Sequence, residues 1–399
     1  MVISIRKSTK EDRDIIISVI DRAFERSKEE SFEFRYPVLF NDKRITEYYI
    51  AEYDGNVAGV LGAYRVDLFI NNIRFNARGI GAVSTLHKYR NRGVMTSLLN
   101  FAIEEMKKED IDISYLWGER FRYGNFGWAQ GGEAKIVSFR QKQMAHLIEP
   151  NDSIKDDIKD DIKVATSKDA SLVYDLIREK FSYLDFTKED IASMLNGKRL
   201  SGLRLNDSFV FWTCSKVNII EALGDAKDIL KLASFCLLEN QKENQKENQK
   251  ENPKAEFVEI EASKGCKGLL EILTDYASIV QTTSSANFRI INFETFLKKF
   301  AKAMSFKLPN VKESISLGSL ATNKAFTLSC IDRACIDNKA LLVKECNPSK
   351  AVMLNEKDLS EVFFGELPID IFLKDLSQNS IFRSILPIRE LHISKFYRL

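Results

Sequence analysis

Residues 80–108 constrain the fold more than any other stretch of this chain. Residues 80–86 read as a strand, Tyr89-Arg90-Asn91-Arg92-Gly93-Val94-Met95 as a basic turn, and residues 96–108 as a helix. Met95, Leu98, Leu99, Ala102, Ile103 and Met106 recur at helical spacing, so a helix begins near Gly93. A strand that stops at such a turn and enters a helix leaves free backbone N–H groups and the positive end of a helix dipole facing an anion. Arg90 and Arg92 add permanent charge with forked donors, and Gly93 lets the backbone come close to a ligand. The turn is therefore a candidate pyrophosphate cradle. An R-x-x-G pattern alone occurs in many surface turns, so its context decides.

With 399 residues the chain is long enough for two or three domains. Hydrophobic residues make up 44%, charged residues 29%, and the net charge is only +2, which gives no global case for nucleic acid or an anionic membrane as partner. No apolar run approaches the roughly 18 residues of a membrane span, and residues 1–6 read as a first strand rather than a signal peptide. A cytoplasmic protein is expected. Six cysteines lie without a C-x-x-C pair, and none falls in the first 213 residues, which argues against a disulfide framework and a zinc site. His87, His146 and His392 stand in no metal or triad spacing and read as structural. No metal is expected.

The first part of the chain alternates strand and helix signals. Ser8 with Glu11 fits a capping box, and Ile15, Ile16, Val19, Ile20 and Phe24 line one helix face. Asp54-Gly55-Asn56 and Asn71-Asn72 mark two hairpins, between strands at 48–53 and 57–64 and at 67–70 and 73–75. With the strand at 80–86, the helix from Gly93 and a strand at 111–117, the order is β-α-β-β-β-β-α-β, an α/β domain. The run NDSIKDDIKDDIK at 151–163 reads as a solvated linker or charged helix edge. A second region has helices at 172–181, 225–238 and 267–273 and strands at 209–214, 218–222 and 257–260, but no R-x-x-G turn. Its Asn-Gln-Lys-Glu repeat at 240–252 has no apolar residue and cannot join a core. A third region, α+β in character, has a strand at 288–291, an amphipathic helix at 293–304, strands at 314–317, 325–331 and 340–346 and a helix at 357–364. The apolar terminus Leu391-His392-Ile393-Ser394-Lys395-Phe396-Tyr397-Arg398-Leu399 is expected to be packed, since chain ends otherwise fray.

Val83-Ser84-Thr85 followed by the Tyr89–Met95 turn and Leu98-Leu99 resembles motif A of the GNAT acetyltransferases. Arg122-Tyr123-Gly124-Asn125-Phe126-Gly127-Trp128 resembles the I-Y-G-R-F-G-Y signature of their Eis-type branch. Phe288-Arg289-Ile290-Ile291 is similar to the R-I-V-D start of that branch's last domain, and residues 359–365 to its L-S-x-L-x-x-G helix. The resemblance implies mixed α/β sheets in tandem GNAT domains followed by a sterol-carrier-protein-like α+β domain. The expected divisions are 1–150 for the catalytic domain, 151–284 for a second GNAT-like domain without cofactor, and 285–399 for the third.

The same resemblance implies the site. Val83, Ser84 and Thr85 pair with the pantetheine arm of acetyl-CoA; Arg90, Asn91, Arg92, Gly93, Val94, Met95 and Thr96 hold its pyrophosphate; Gly118 and Glu119 border the thioester arm. Tyr123 is the implied general acid, and the terminal carboxylate of Leu399 the implied base. The implied reaction is transfer of acetyl from acetyl-CoA to a primary amine, of a small molecule or a lysine, in a ternary complex. The implied assembly is a homo-oligomer, typically a hexamer. The chemistry asks for the same roles, because the amine must be neutral when it attacks and the sulfur must leave protonated. The residues alone leave other readings open. Tyr123, among Phe121, Phe126 and Trp128, could be aromatic core; Leu399 could merely end a packed tail; and the protein could sense acyl-CoA or bind apolar ligands without catalysis. Arg398 before the terminus makes a strongly cationic aminoglycoside a doubtful acceptor.

Overall fold

In a computed structural model of the full chain, residues 2–140, 143, 161–246, 257–262, 269–305, 313–331, 340–374 and 380–397 are described. The charged run at 151–160, the end of the Asn-Gln-Lys-Glu repeat, His146 and Leu399 lie outside them. The helix Ala226–Lys246 extends well into that repeat.

The amino-terminal sheet is built from β1 (Ile3–Lys7), β2 (Tyr48–Tyr53), β3 (Asn56–Arg65), β6 (Ala77–Thr85), β7 (Ile113–Leu116) and β8 (Ala129–Gly131), with β4 (Leu68–Ile70) and β5 (Ile73–Phe75) forming a side hairpin. Both sequence-marked turns hold. Asp54 and Gly55 have φ of 48° and 78°, and Asn71 and Asn72 have φ of 47° and 62°, the left-handed pair that a two-residue hairpin needs. The capping box, by contrast, sits one residue later than expected. The Thr9 N–H donates to Asp12 Oδ2 at 2.8 Å, while the buried Ser8 hydroxyl donates to the carbonyls of Ile45 and Tyr48 at 2.6 and 2.9 Å. The helices Arg13–Ala23 and Val94–Lys108 pack on this sheet, burying Ile16, Val19 and Ile20 and, on the second, Leu98, Leu99, Ala102, Ile103 and Met106.

The sheet has a seventh strand from far along the chain. Ala286–Ile290 lies between β7 and β8, antiparallel to both, with Asn287 opposite Leu116 and Gln130. In exchange, β9 (Ala134–Arg140) runs into the second region, where it pairs with Phe257–Ala262 on one side and Ile279–Thr283 on the other. The side hairpin reaches the second region too: β4 pairs with Ser182–Leu184, and Phe69 stacks on Tyr183 at 5.0 Å. Arg44, 2% exposed, adds a charged tie, donating to Glu47 at 2.9 Å, to the Arg65 carbonyl at 2.9 Å and to Asp190 at 3.3 Å.

The third region is a four-stranded sheet in the order Ala340–Cys346, Lys324–Ile331, Glu313–Ser319, Val352–Leu354. Its helix Phe293–Met304 buries Phe293, Phe296, Leu297, Phe300 and Met304, an apolar stripe at helical period. The helix Glu356–Phe364 leaves that sheet and packs on β8 and Ala286–Ile290, with Phe364 at 5.0 Å from Phe288. Mixed sheets and surface helices give the α/β class expected. The first sheet draws residues from well beyond its own segment.

Candidate active site

The geometry starts with a defect in β6. Ala82 has φ of +49°, and the pairing of β3 with β6 slips between Val60 and Gly62, a bulge that bends the strand. Parallel pairing with β7 runs from Ala77 opposite Ile113 to Ile80 opposite Leu116 and ends there. Among the described residues no strand covers Val83, Ser84 and Thr85 on that side, so their backbone is open to a ligand while Ser84 and Thr85 stay paired with Val60 and Gly59 on the other.

The turn that follows is bent by two left-handed residues, Asn91 at φ of +60° and Gly93 at +80°. A Cβ on Gly93 would meet nothing nearer than Ile3 Cδ1 at 4.0 Å, so it is the backbone angle that asks for glycine there. The first helical bond runs from Ser97 N–H to the Gly93 carbonyl at 2.9 Å, which leaves the N–H groups of Val94, Met95 and Thr96 ahead of it without helical partners. A cleft of 530 Å³ lies over this helix start. Val83, Ser84, Thr85, Arg90, Asn91, Gly93, Val94, Met95 and Thr96 line it, with Tyr89, Ala23, Phe24 and Arg122. The Arg90 guanidinium is held by the Ala23 carbonyl and His87 Nε2, each at 3.2 Å. Arg92 is outside the lining and lies over the Tyr53 ring at 5.2 Å. Gly118 and Glu119 also lie outside it.

Gly118 follows β7 and is pinned by Asn287, whose Nδ2 donates to its carbonyl at 2.9 Å. Glu119 caps a short helix, Arg120–Gly124, that carries Tyr123. The Tyr123 ring is 8% exposed, edge-on to Trp128 at 6.5 Å. Burial pushes its phenol above its ordinary value, the Arg122 guanidinium pulls the other way, and Glu119 weakly reinforces the rise. Tyr123 does not itself line the cleft; Arg122 before it does. The third region braces this helix: Arg120 Nη2 lies 3.2 Å from Oε1 of the buried Glu361. Beside it Arg289 lies over the Trp128 ring at 5.5 Å, where a Cβ on Gly127 would come within 2.5 Å of its Nη1.

Residues 4–131 match the family model described as an acetyltransferase (GNAT) domain. They form a GNAT domain. No curated protein matches the sequence. Three solved structures share the fold over nearly the whole chain. A GCN5-related N-acetyltransferase from Anabaena variabilis has 17% identity, covers 98% of this chain and 99% of its own, and gives a TM-score of 0.68. A conserved protein of unknown function from Enterococcus faecalis V583, described as a probable N-acyltransferase, has 14% identity over all of both chains and a TM-score of 0.68. Eis1 from Mycobacterium abscessus has 11% identity, covers 98% of this chain and 100% of its own, and gives 0.61. At these identities the likeness speaks to the fold.

Residues 394–397 pack beside the GNAT domain, against the second region. Phe396 meets Phe211 at 5.1 Å, Tyr397 stacks on Phe186 at 5.2 Å, and the Ser394 hydroxyl donates to the Ile220 carbonyl at 3.0 Å. Arg199 donates to the carbonyls of Lys395 and Phe396 at 2.5 and 3.0 Å and stacks on Tyr36 at 5.4 Å. Tyr36 stacks on Phe32 at 5.2 Å, and Phe32 meets Phe24 at 4.9 Å, so one line of rings joins the tail to the cleft wall. Leu399, the implied base, lies outside the described residues. Among those described, no group of three or more His, Cys, Asp and Glu could hold a metal, and no helix is long and apolar enough to cross a membrane. Arg122 joins the cleft lining without belonging to the motif that marks the rest of it.

Proposed function

We propose that the protein is an N-acetyltransferase that takes acetyl from acetyl-CoA and gives it to the primary amine of a small molecule or a lysine-type acceptor, by direct transfer in a ternary complex. The observation that carries this reading is the 530 Å³ cleft, in which an uncovered strand edge at Val83–Thr85 leads to the unpaired N–H groups of a helix start. Acetyl-CoA supplies an activated thioester. The strand edge suits the amides of a pantetheine arm, and the helix start, with Arg90 and Asn91 beside it, suits a diphosphate. Arg92, on Tyr53, would have to leave its ring to join them.

The proton chemistry is assigned to two groups. Tyr123 keeps its proton at neutral pH, as burial dictates, and so is fit to donate it to sulfur. The Leu399 carboxylate takes the proton that the acceptor nitrogen must lose. The tail's anchorage at Arg199, Phe211 and Phe186 supports a fixed rather than frayed end up to Tyr397. In the same reading residues 1–150, 151–284 and 285–399 are the three domains, the last sterol-carrier-like, and the protein is a cytoplasmic homo-oligomer. Light scattering on the purified protein measures that assembly directly.

Calorimetric titration with acetyl-CoA, paired with a thiol-release assay over a panel of amines, tests the whole. Binding together with amine-dependent thiol release is expected; binding without release from any amine would instead support an acyl-CoA sensor. Tyr123→Phe should lower kcat by about 10²–10⁴-fold with little change in KM for acetyl-CoA. Full activity after the chain is extended past Leu399 would remove the terminal carboxylate from the mechanism.

A further inference from the structure

We propose that Arg120 and Glu361 are positioning residues of the reaction: their ion pair fixes the short helix that carries Tyr123, which makes the third region a working part of the catalytic apparatus. The inference rests on the acetyltransferase reading above and deepens it, giving a region far along the chain a role at the same site.

The helix Arg120–Gly124 has little of its own to hold it. It is five residues long, and so short a helix is unstable without tertiary contacts. Tyr123 is its one buried residue, Phe121 is 88% exposed, and Arg122 faces Glu119 across 3.6 Å in a loose surface pair. The support comes from the helix Glu356–Phe364 of the third region, which meets it at several points. Arg120 Nη2 donates to Glu361 Oε1 at 3.2 Å, a Cβ on Gly124 would stand 3.7 Å from Lys357 Cε, and one on Gly127, just past the helix, 3.2 Å from Glu356 Cβ. Residues 357 and 361 are four apart and share a face of their helix. The Glu361 side chain is only 1% exposed, so its bond to Arg120 meets little competition from water and holds a defined direction.

The supporting helix is itself tied to the sheet. Gly365 bridges to Gly131 of β8, the Gly132 N–H donates to the Phe364 carbonyl at 2.9 Å, and the Ile290 N–H donates to Ser360 Oγ at 3.2 Å. That sheet also contains β6, whose end at Val83–Thr85 forms the cleft edge. The ion pair therefore sets where the Tyr123 helix stands relative to the strand that would hold the donor. Proton transfer from the tyrosine to the departing sulfur works only within hydrogen-bond reach, and a misplacement of about 1 Å can cost about 10²-fold in rate. Donor affinity depends on this helix far less, because Arg122 is the only one of residues 120–124 in the cleft lining.

The test compares Arg120→Ala, Arg120→Lys and the double variant Arg120→Ala/Glu361→Gln with the parent, all full-length, by thiol release and thermal melting. Arg120→Ala should lower kcat about tenfold or more, with KM for acetyl-CoA within about twofold. Arg120→Lys keeps the cation and should recover most of that loss. The double variant leaves no buried charge without its partner, so it should melt closer to the parent than Arg120→Ala does, yet keep the low kcat because the tie is still missing. In a Tyr123→Phe background, Arg120→Ala should have almost no further effect on kcat, which a merely structural role would not produce. Parental kcat in the double variant overturns the inference, as does an equal loss of kcat with and without the Tyr123 hydroxyl. So does a rise in KM at unchanged kcat, which would make the pair a support of the donor cleft alone. If Tyr123→Phe by itself is fully active, the acid assignment has failed and the pair has nothing to position, a result read without any Arg120 variant.

Discussion

A Cβ atom on Gly118 would stand 2.3 Å from Cε2 of Tyr123. The residue that ends the run out of β7 is thus the floor on which the candidate acid rests, and Asn287 fixes that floor from the seventh strand. Gly118→Ala forces the ring to move, because a contact that short cannot persist. Overpacking of this kind costs about 1–3 kcal/mol. Since Gly118 is on the surface, displacement of Tyr123 should appear more in turnover than in stability. The expected result is a fall in kcat of about tenfold or more with a small change in melting temperature; unchanged kcat would mean that the ring position is irrelevant.

Gly93 raises a different question, because space there is plentiful and only the backbone angle is special. Gly93→Ala should cost about 1–2 kcal/mol from the left-handed conformation. If the helix start unwinds to relieve that strain, acetyl-CoA affinity falls as well. Calorimetric titration of the variant should show weaker donor binding, while an unaltered Kd would separate the turn's shape from donor recognition.

Much of this architecture is legible in the sequence, for identifiable reasons. The helix Phe293–Met304 and the strand Ala340–Cys346 fall where the apolar period puts them, and the left-handed asparagines at 71 and 72 make their hairpin. Misses come from two sources. Ser182–Leu184 is three residues long, too short for any period to register, and its partner β4 lies more than a hundred residues away. The helix Lys188–Asn196 is short too, and its one signal is local, the Thr187 and Asp190 capping box. The strand Ala286–Ile290 is a third kind of case. Its presence is readable, but a period of two says which face is buried and nothing of which sheet receives it. At the site, the cleft residues from Val83 to Thr96 were readable as one continuous motif. Arg122 was not, because only the turn of a five-residue helix sends it to the cleft.

Glu261 carries a pH dependence. Its carboxylate is buried, which alone would raise its pKa, yet His392 at 3.2 Å and Lys395 at 2.8 Å hold it below its ordinary value. A carboxyl with a depressed folded pKa binds its proton more tightly when unfolded, so it stabilises the fold above its unfolded pKa of 4.5. That contribution is lost as pH falls through the folded value. Glu261→Gln should therefore destabilise the protein at pH 7, by about 1.5–3 kcal/mol. The gap to the parent protein should close progressively on acidification below about pH 4.5. Denaturant titrations across that range check it, and a gap that stays constant with pH would contradict the charge assignment.

Arg44 offers a test of how the first two regions hold together. Its guanidinium is buried between Glu47, Asp190 and a backbone carbonyl. Arg44→Met leaves two carboxylates without their cation, and breaking a buried pair in this way costs about 3–5 kcal/mol. Adding Asp190→Asn should restore part of the loss. A single-variant cost below about 1 kcal/mol, measured by urea denaturation, would put this contact in the class of surface bridges.

The strand Ala286–Ile290 has a further meaning on the ribosome. Chains tend to fold from the amino terminus as they are made, but here β7 and β8 emerge long before the strand that sits between them. The slot stays open until Ile290 has been translated, and by then the described strands of the second region have all been made. The amino-terminal sheet is begun first and finished late, so a truncated translation product that stops short of this strand is not a smaller version of the protein.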